Sequence, residues 1–371
     1  MNLSLLYFRT SLFFVVLSLT LSCSGQNKAI ESKKAAQSKN TSLTIGDTIS
    51  ELEKNIWIVF QDQNENYWFG SDGSGVYQYD GETILHFTSK DGLSNDRIRG
   101  IKEDNFGNVF ITNLGGIDKF DGEKFTHLTA IESNEWELNP DDIWFSILGG
   151  PLETGPYRYD GKTLHHLKFP KHYMEDEYYD NHPNKSWSPY EPYTIFKDSK
   201  GNIWFGTSNF GLCRYDGKTV SWLYEEHLTM MEGGGSFGIR SIIEDRDEKF
   251  WICNTNYRYD IQAIPIVEKD KILIDYKREK GMENLKSFDG TSYLYFMSAV
   301  KDNAGDLWLA TYSEGVIKYD GTTTTRYSVK DGEKDVTLFS IYKDKEGNLW
   351  LGTHESGVYK FNGNTFGKFK L

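Results

Sequence analysis

The sequence predicts an all-β protein, a seven-bladed β-propeller of four-stranded antiparallel blades. Two repeated signatures predict this fold: an aromatic-Asp-Gly tripeptide that recurs roughly every 40 residues, and an Asp-x-x-Gly-Asn-x-Trp pattern upstream of it. The composition agrees, because 23 Tyr, 23 Phe and 35 Gly in 371 residues favour short strands joined by tight turns. A period of about 40 to 50 residues with four short strands is typical of a propeller blade.

The tripeptide occurs seven times when two degenerate copies are included. Its central residues are, in order, Asp80, Asp121, Asp160, Asp216, Asp260, Asp320 and Asn362, of which the fifth and the last belong to the degenerate copies. Asp bonds to the backbone that follows it, and Gly accepts a positive φ. Each copy is therefore predicted to form the turn between the third and fourth strands of one blade.

The upstream signature predicts the turn between the first two strands of a blade. Its copies are Asp198–Thr207, Asp344–Thr353 and, in the same register, Asp62 with Trp68, Asp104 with Phe110, Asp245 with Trp251 and Asp302 with Trp308, while a compressed third repeat reaches Trp144. We expect the recurring Trp to pack between neighbouring blades. In the last repeat the strands are predicted at Leu338–Tyr342, Leu349–Gly352, Gly357–Phe361 and Thr365–Phe369.

Over roughly residues 55–371, these two signatures resemble the repeats of the two-component regulator propeller family. That family occurs in the periplasmic sensor halves of bacterial hybrid histidine kinases and in stand-alone secreted proteins. The resemblance implies the propeller fold and suggests a sensor-like role, because function depends on the site rather than on the fold. Since the sequence ends at Leu371 within the last repeat, we expect a stand-alone form without a kinase or output domain.

The N-terminus is predicted to be an export signal. Residues 1–22 combine Arg9 with an apolar stretch, Ser11–Leu21, that is too short to span a bilayer. The Ser before Cys23, directly after the apolar stretch, resembles the lipobox of bacterial lipoproteins, which implies lipidation of Cys23. The alternatives are an ordinary secretory peptide cut nearby and an uncleaved anchor. Residues 23–50 are predicted to be a flexible tether, and residues 51–371 the propeller. We expect a lipid-anchored envelope protein, at the outer membrane facing the periplasm.

The net charge of the chain limits the kinds of molecule that it is expected to bind. A net charge of −13 argues against binding nucleic acid, and against membrane contact other than through the lipid anchor. The remaining partners are a small molecule or glycan, or another envelope protein.

Cys213 and Cys253 fall in different repeats and are expected to be buried free thiols.

A ligand site is predicted at the mouth of the central channel. Equivalent positions near the start of each first strand are Trp57, Arg99, Trp136, Tyr193, Arg240, Met297 and Phe339. Aromatic rings stack on flat ligands, and Arg donates to hydroxyl or carboxylate oxygens; packing of one blade on the next is the alternative. The insertion 169–192 adds Trp187 and Tyr190, and insertions 224–238 and 277–295 lie on the same face. We expect a cap over the channel; a loop folded on its own aromatic residues is the alternative.

The sequence predicts no catalytic residue, cofactor or metal ion. His172 and His182 lie near several carboxylates in the insertion, but they lack a tight metal-binding spacing. Streptogramin lyases, which are also seven-bladed propellers, use His and Glu residues at the channel mouth with magnesium, and no equivalent first-strand position here is His. Whether the protein is an enzyme stays open. The favoured hypothesis is non-enzymatic binding of a carbohydrate or similar ligand, and the alternatives are a protein-interaction scaffold and a streptogramin-lyase-like enzyme.

Overall fold

The computed structural model describes residues 45–148, 155–230, 237–282, 285 and 294–370. The predicted signal peptide, Cys23 and the predicted tether up to residue 44 lie outside the described residues. Seven sheets, each with at least four strands, follow one another in the chain and form the seven-bladed β-propeller that the sequence predicts. Among the described residues there is no helix with the length and apolarity needed to cross a bilayer.

The first three blades contain thirteen strands. They are β1 (Asp47–Ile49), β2 (Ile56–Gln61), β3 (Tyr67–Ser71), β4 (Val76–Tyr79), β5 (Ile84–Phe87), β6 (Ile98–Glu103), β7 (Val109–Asn113), β8 (Gly116–Phe120), β9 (Phe125–His127), β10 (Ala130–Ser133), β11 (Ile143–Phe145), β12 (Tyr157–Tyr159) and β13 (Leu164–Leu167). A 3₁₀ turn, Ser89–Asp91, joins blades one and two.

The last four blades contain the other strands and both helices. The strands are β14 (Pro192–Lys197), β15 (Ile203–Thr207), β16 (Leu212–Tyr215), β17 (Val220–Leu223), β18 (Ile242–Glu244), β19 (Phe250–Ile252), β20 (Tyr257–Ile261), β21 (Ile266–Glu268), β22 (Lys271–Leu273), β23 (Tyr276–Lys280), β24 (Phe296–Lys301), β25 (Leu307–Thr311), β26 (Val316–Tyr319), β27 (Thr324–Tyr327), β28 (Lys330–Asp331), β29 (Lys334–Asp335), β30 (Leu338–Lys343), β31 (Leu349–Thr353), β32 (Val358–Phe361) and β33 (Phe366–Lys368). The helices are α1 (Glu175–Asn181) and α2 (Glu226–Thr229).

The second-strand Trp residues form the contacts between blades, as predicted. Trp68, Trp204, Trp251, Trp308 and Trp350 are all buried, and each lies in an apolar cluster that joins two blades. In each of these blades the indole Nε1 donates to Oδ2 of the turn Asp six residues earlier, at 2.8 to 2.9 Å. The turn Asp therefore also satisfies the one polar atom of a buried Trp, a second role that the sequence analysis did not predict.

Blade three departs from the regular plan. Its sheet has the order β10-β13-β12-β11, and β11 carries Trp144, the residue predicted for a second strand. Strand β10 pairs in parallel with the outer strand β13, so the fourth strand of this sheet lies at the rim. Residues 134–142 form no strand before β11 begins. In the described part of the chain, blade three thus lacks a strand at the channel.

The outer edges of two other blades are extended by added strands. Strand β1 pairs antiparallel with β5, which extends the sheet of blade one into the last residues of the predicted tether, before residue 51. The hairpin β21–β22, inserted between two strands of blade five, joins the outer edge of blade four through a parallel contact with β17. These additions cover edges that would otherwise present unpaired backbone groups.

The ring closes by side-chain packing between blades one and seven. Blade seven contributes all four of its own strands, at the positions predicted from the sequence. Trp350 packs with Phe69 of blade one, and the Tyr67 hydroxyl donates to Asp344 Oδ2 at 2.8 Å. Cys213 and Cys253 are both buried free thiols, as expected.

Candidate functional site

Backbone bulges place the predicted channel residues. The pairing of the first and second strands shifts by one residue immediately after the first residue of β2, β6, β14, β24 and β30. The extra residues are Trp57, Arg99, Tyr193, Met297 and Phe339. A bulge changes the direction of one side chain and leaves that residue out of the ladder. Arg240 occupies the equivalent position ahead of β18 in blade five. Six of the seven predicted positions are therefore equivalent in the structure.

Three of these side chains form a continuous stack across blades seven, one and two. The Trp57 and Phe339 rings are stacked with centroids 4.3 Å apart, and the Arg99 guanidinium lies 4.6 Å from the centre of the Trp57 ring. Arg99 Nη2 also donates to Asp72 Oδ1 at 2.9 Å. All three bulge residues remain partly exposed. The stack joins a flat apolar surface to a fixed cation.

Two loop residues that were not predicted from the sequence complete this stack. His354 follows β31 and lies 4.7 Å from the Trp57 ring, and Tyr312, which is 50% exposed, follows β25 and lies 5.4 Å from the His354 ring. Trp57 Nε1 and His354 Nε2 are buried and have no hydrogen-bond partner among the described residues. Burial lowers the pKa of His354 despite the nearby carboxylates of Asp72 and Glu355. Aligning the residue after each second strand would have found both loop residues.

A second cation–aromatic group lies on blades four and five. The Arg240 guanidinium is 4.7 Å from the centre of the Tyr193 ring and 5.5 Å from that of Phe237. Arg240 Nε donates to the Phe237 carbonyl at 3.1 Å, which fixes the guanidinium plane. The Tyr295 ring packs 4.9 Å from Phe237. The bulge position thus pairs an Arg with an aromatic ring of the preceding blade in two places, Arg99 on Trp57 and Arg240 on Tyr193.

Trp136 does not take the predicted channel position, and that prediction was wrong. The described part of the compressed third repeat forms no strand ahead of β11, and the segment around Trp136 runs between blades three and four. The Trp136 ring contacts Trp144, Phe205 and Tyr215, with centroids 5.1 to 6.1 Å apart. Its carbonyl accepts a hydrogen bond from the Tyr215 hydroxyl at 2.7 Å. Trp136 therefore serves the packing between blades.

The insertion 169–192 folds onto blade four. Tyr190 is buried and stacks on Phe169, and its hydroxyl donates a hydrogen bond to Glu175. His172 is fully buried against Phe210, and burial lowers its pKa to about 3, helped by the charge of Lys271. The structure thus favours the alternative of a loop folded on its own aromatic residues over a cap across the channel, and Tyr190 is a packing residue.

Trp187 differs from Tyr190 because it faces solvent. It is 41% exposed, and the Lys185 ammonium lies 3.8 Å from the centre of its ring. Its predicted contact with a ligand stays a prediction. No group of three metal-ligating side chains occurs among the described residues. His182 Nδ1 contacts the Tyr178 carbonyl, which belongs to the local structure of helix α1.

An exposed apolar strand lies at the outer edge of blade four. Strand β21 is the last strand of that sheet, so one side of its backbone has no neighbouring strand in the described part of the chain. Ile264 is 79% exposed, Val267 is 69% exposed and Ile266 is 40% exposed. A run of exposed apolar side chains on a free strand edge is typical of a protein contact surface.

The unit of first strand, Asp turn and second strand matches a known family of repeats. The profile of the two component regulator propeller family matches residues 186–209 and 332–355. The chain contains two-component regulator propeller repeats. Both matched segments cover the first two strands of a blade, β14 with β15 and β30 with β31, which form the element with the bulge and the Asp–Trp bond. No curated protein matches the sequence.

Solved structures share the fold of these regulator propeller repeats. The extracellular domain of a one component system from B. thetaiotaomicron is similar at a TM-score of 0.53 and 20% identity, over 85% of this chain and 40% of that chain. This chain therefore spans about two fifths of the length of that relative. A streptogramin B lyase is similar at a TM-score of 0.58 and 14% identity, over 84% and 95% of the two chains. Virginiamycin B lyase from Staphylococcus aureus is similar at a TM-score of 0.57 and 12% identity, over 85% of this chain and 97% of that chain. At these identities the similarity shows the fold alone.

Proposed function

We propose that this protein is a non-enzymatic binding propeller of the cell envelope that takes a carbohydrate or similar small ligand at its channel mouth. The observation that supports this most is the repeated pairing of a guanidinium with an aromatic ring, Arg99 on Trp57 and Arg240 on Tyr193. Aromatic rings cover the apolar face of a sugar, while Arg donors fix its hydroxyl or carboxylate oxygens. The unpartnered nitrogens of Trp57 and His354 are further polar groups for a ligand.

The envelope location is part of the same proposal. The similar domain from B. thetaiotaomicron is described as extracellular, and the first 22 residues of this chain have the pattern of an export signal. A lipid on Cys23 would hold the propeller at the outer membrane, with residues 24–46 as the tether. Mass spectrometry of the mature protein tests this, since lipidation adds a diacylglyceryl mass to a peptide that begins at Cys23. A mature chain that begins elsewhere would contradict the anchor.

The binding proposal predicts that mouth substitutions reduce affinity. After a thermal-shift screen of glycans has identified a ligand for the mature protein, we expect Trp57→Ala and Arg240→Ala each to weaken its binding about 10- to 100-fold, as measured by titration calorimetry. Arg246→Ala is the matched control, because Arg246 pairs with Asp306 in the turns at the other end of the blades. Equal affinities for all four proteins would reject the mouth as the site.

A second candidate function is a protein-interaction scaffold, supported by the free edge of β21. An extended segment of another envelope protein can add to such an edge through backbone hydrogen bonds. We expect the double variant Ile264→Glu, Val267→Lys to lose at least nine tenths of any partner that copurifies from native membranes. Its unfolding temperature should hardly change, because both side chains are exposed. Retention of the partner would exclude this edge.

The alternative of a streptogramin-lyase-like enzyme would depend on a single histidine, His354. All eight His residues are described, and His354 alone among them contacts the aromatic stack at the channel mouth. A lyase-like reaction would require activity that is lost both on adding a metal chelator and in His354→Ala. Activity that survives both treatments would remove this alternative.

A further inference from the structure

Two arginines occupy equivalent positions in blades two and five but have different surroundings. Arg99 and Arg240 each place the guanidinium on an aromatic ring of the preceding blade, 4.6 Å and 4.7 Å from the ring centre. The Arg99 guanidinium has a counter-ion, because its Nη2 lies 2.9 Å from Asp72 Oδ1. Arg240 makes no ion pair with any described residue. The two positions therefore share their packing and differ in whether the charge is neutralised.

One difference in sequence accounts for the missing counter-ion. Asp72 directly follows the second strand of blade one, and Ser208 directly follows the second strand of blade four. The two backbones have the same place, since the Asp72 amide donates to the Asn55 carbonyl ahead of β2 at 3.1 Å. The Ser208 amide donates likewise to the Glu191 carbonyl ahead of β14 at 2.9 Å. Ser208 carries no charge, and its hydroxyl donates to the Ser188 carbonyl at 2.7 Å. Blade four thus has a neutral residue where blade one supplies a carboxylate.

The Arg240 guanidinium is held in a fixed orientation. Its Nε donates to the Phe237 carbonyl at 3.1 Å, and the Tyr193 and Phe237 rings lie 4.7 Å and 5.5 Å from it. Arg240 is partly exposed, and its Nη1 and Nη2 have no acceptor among the described residues. A guanidinium whose plane is fixed and whose two Nη groups are open fits a planar carboxylate in a bidentate contact. Because the orientation exists before binding, little side-chain entropy is lost.

We propose that Arg240 forms an anion subsite, in which its two Nη groups bind the carboxylate of an acidic sugar. This inference rests on the proposed carbohydrate-binding function and names the class of sugar. The protein carries a net charge of −13, so its overall field repels an anionic ligand. Binding then requires a local cation whose charge is not already neutralised within the protein. Arg240 meets this requirement, whereas the charge of Arg99 is taken up by Asp72.

The experiment observes both arginines directly by NMR. In the mature protein with isotopically labelled arginine, the Nε–H signals of Arg99 and Arg240 are assigned by their absence in Arg99→Lys and Arg240→Lys. Sodium glucuronate, or glucose at the same ionic strength, is then added stepwise. We expect glucuronate to shift the Arg240 signal to saturation and to leave the Arg99 signal in place. Glucose should not reproduce the shift of Arg240, because it has no carboxylate to pair with the guanidinium.

Asp72→Ser gives blade one the residue that blade four has, and it tests the reason for the difference. The side chain of Asp72 is 25% exposed, so we expect this variant to keep the fold. Without its counter-ion, Arg99 should now respond to glucuronate as Arg240 does. The matched control is Glu82→Gln, which removes the same charge from an exposed side chain in the turn between β4 and β5. An Arg99 signal that stays unresponsive in Asp72→Ser would overturn the argument from the missing counter-ion.

Binding assays supply the second readout. We expect Arg240→Gln to weaken the binding of glucuronate oligomers about tenfold more than that of glucose oligomers of the same length. Arg240→Lys should lose part of this preference for the acidic sugar, since an ammonium keeps the charge but not the bidentate geometry. The matched control is Arg246→Gln, because Arg246 is already paired with Asp306.

The outcomes separate this inference from the function on which it rests. An Arg240 signal that does not respond to glucuronate, or an equal loss of both oligomers in Arg240→Gln, overturns the anion subsite. If neutral oligomers still bind in a Trp57-dependent manner in that case, the carbohydrate-binding function stands and only the subsite falls. If Arg240 selects the acidic oligomer while Trp57→Ala leaves all sugar binding unchanged, the subsite stands and the aromatic stack is not part of the site.

Discussion

Replacing Asp344 by Ala is expected to destabilise the protein by about 3–5 kcal/mol. The Asp344 carboxylate is buried and accepts hydrogen bonds from the Trp350 indole, the Asn348 backbone and side chain, and the Tyr67 hydroxyl of blade one. Removing it leaves several buried donors without an acceptor at the point where the ring closes. Urea unfolding of the mature protein measures the change in free energy.

The matched control is Asp104→Ala, because Asp104 has the same place in blade two. It accepts from the Phe106 and Asn108 backbones and from the Asn108 side chain, but Phe110 stands where the other blades have Trp. We expect a cost of about 1–2 kcal/mol for this variant, since no indole or neighbouring hydroxyl loses its partner. Equal costs for the two variants would show that the buried indole bond and the closing contact contribute nothing.

The same contacts predict how acid affects the closure. Burial by itself would raise the pKa of Asp344, but the hydrogen bonds from Trp350, Asn348 and Tyr67 outweigh it and hold the pKa below its usual range. A carboxyl whose pKa is lowered by folding stabilises the protein above its unfolded pKa, about 4. That contribution is lost as the pH falls from there through the folded value. The stability gap between wild type and Asp344→Ala should therefore narrow below about pH 4.

Gly352→Ala is expected to have the next largest effect, about 3 kcal/mol of destabilisation together with a change at the channel mouth. A Cβ at this position would lie 2.1 Å from the Trp57 carbonyl oxygen and 2.6 Å from Ser340 Oγ. The Trp57 backbone belongs to the neighbouring blade and to the aromatic stack, so relieving the clash moves both. Denaturant unfolding measures the stability, and near-ultraviolet circular dichroism reports the environment of Trp57.

Ala310 provides the control for this substitution. It occupies the same place in blade six, since Ala310 pairs with Ser298 as Gly352 pairs with Ser340. Ala310→Gly should cost only about 1 kcal/mol and leave the near-ultraviolet spectrum unchanged, because it removes a methyl group and loosens the backbone without a clash. A Gly352→Ala variant as stable as wild type would mean that blades one and seven approach less closely than the structure shows.

The candidate site was predictable in part from the sequence. Counting back from each turn Asp found six positions that are equivalent in the structure, because strand length and turn geometry repeat from blade to blade. Counting did not show that each position is a bulge, since a bulge depends on how two strands pair. Nor did it show which neighbours meet: the stacking of Arg99 on Trp57 and of Arg240 on Tyr193 joins residues from different blades.

The sequence by itself determined the fold class, the number of blades and the strands of the regular blades. These features rest on local chemistry, such as Asp and Gly in turns and alternating apolar residues in strands, which each repeat carries on its own. The tertiary structure decided the course of the third repeat, where Trp136 enters the interface between blades three and four. It also decided that Tyr190 is buried on blade four. Such placements depend on contacts between distant segments, and a compressed repeat leaves no local signal of where its chain will pack.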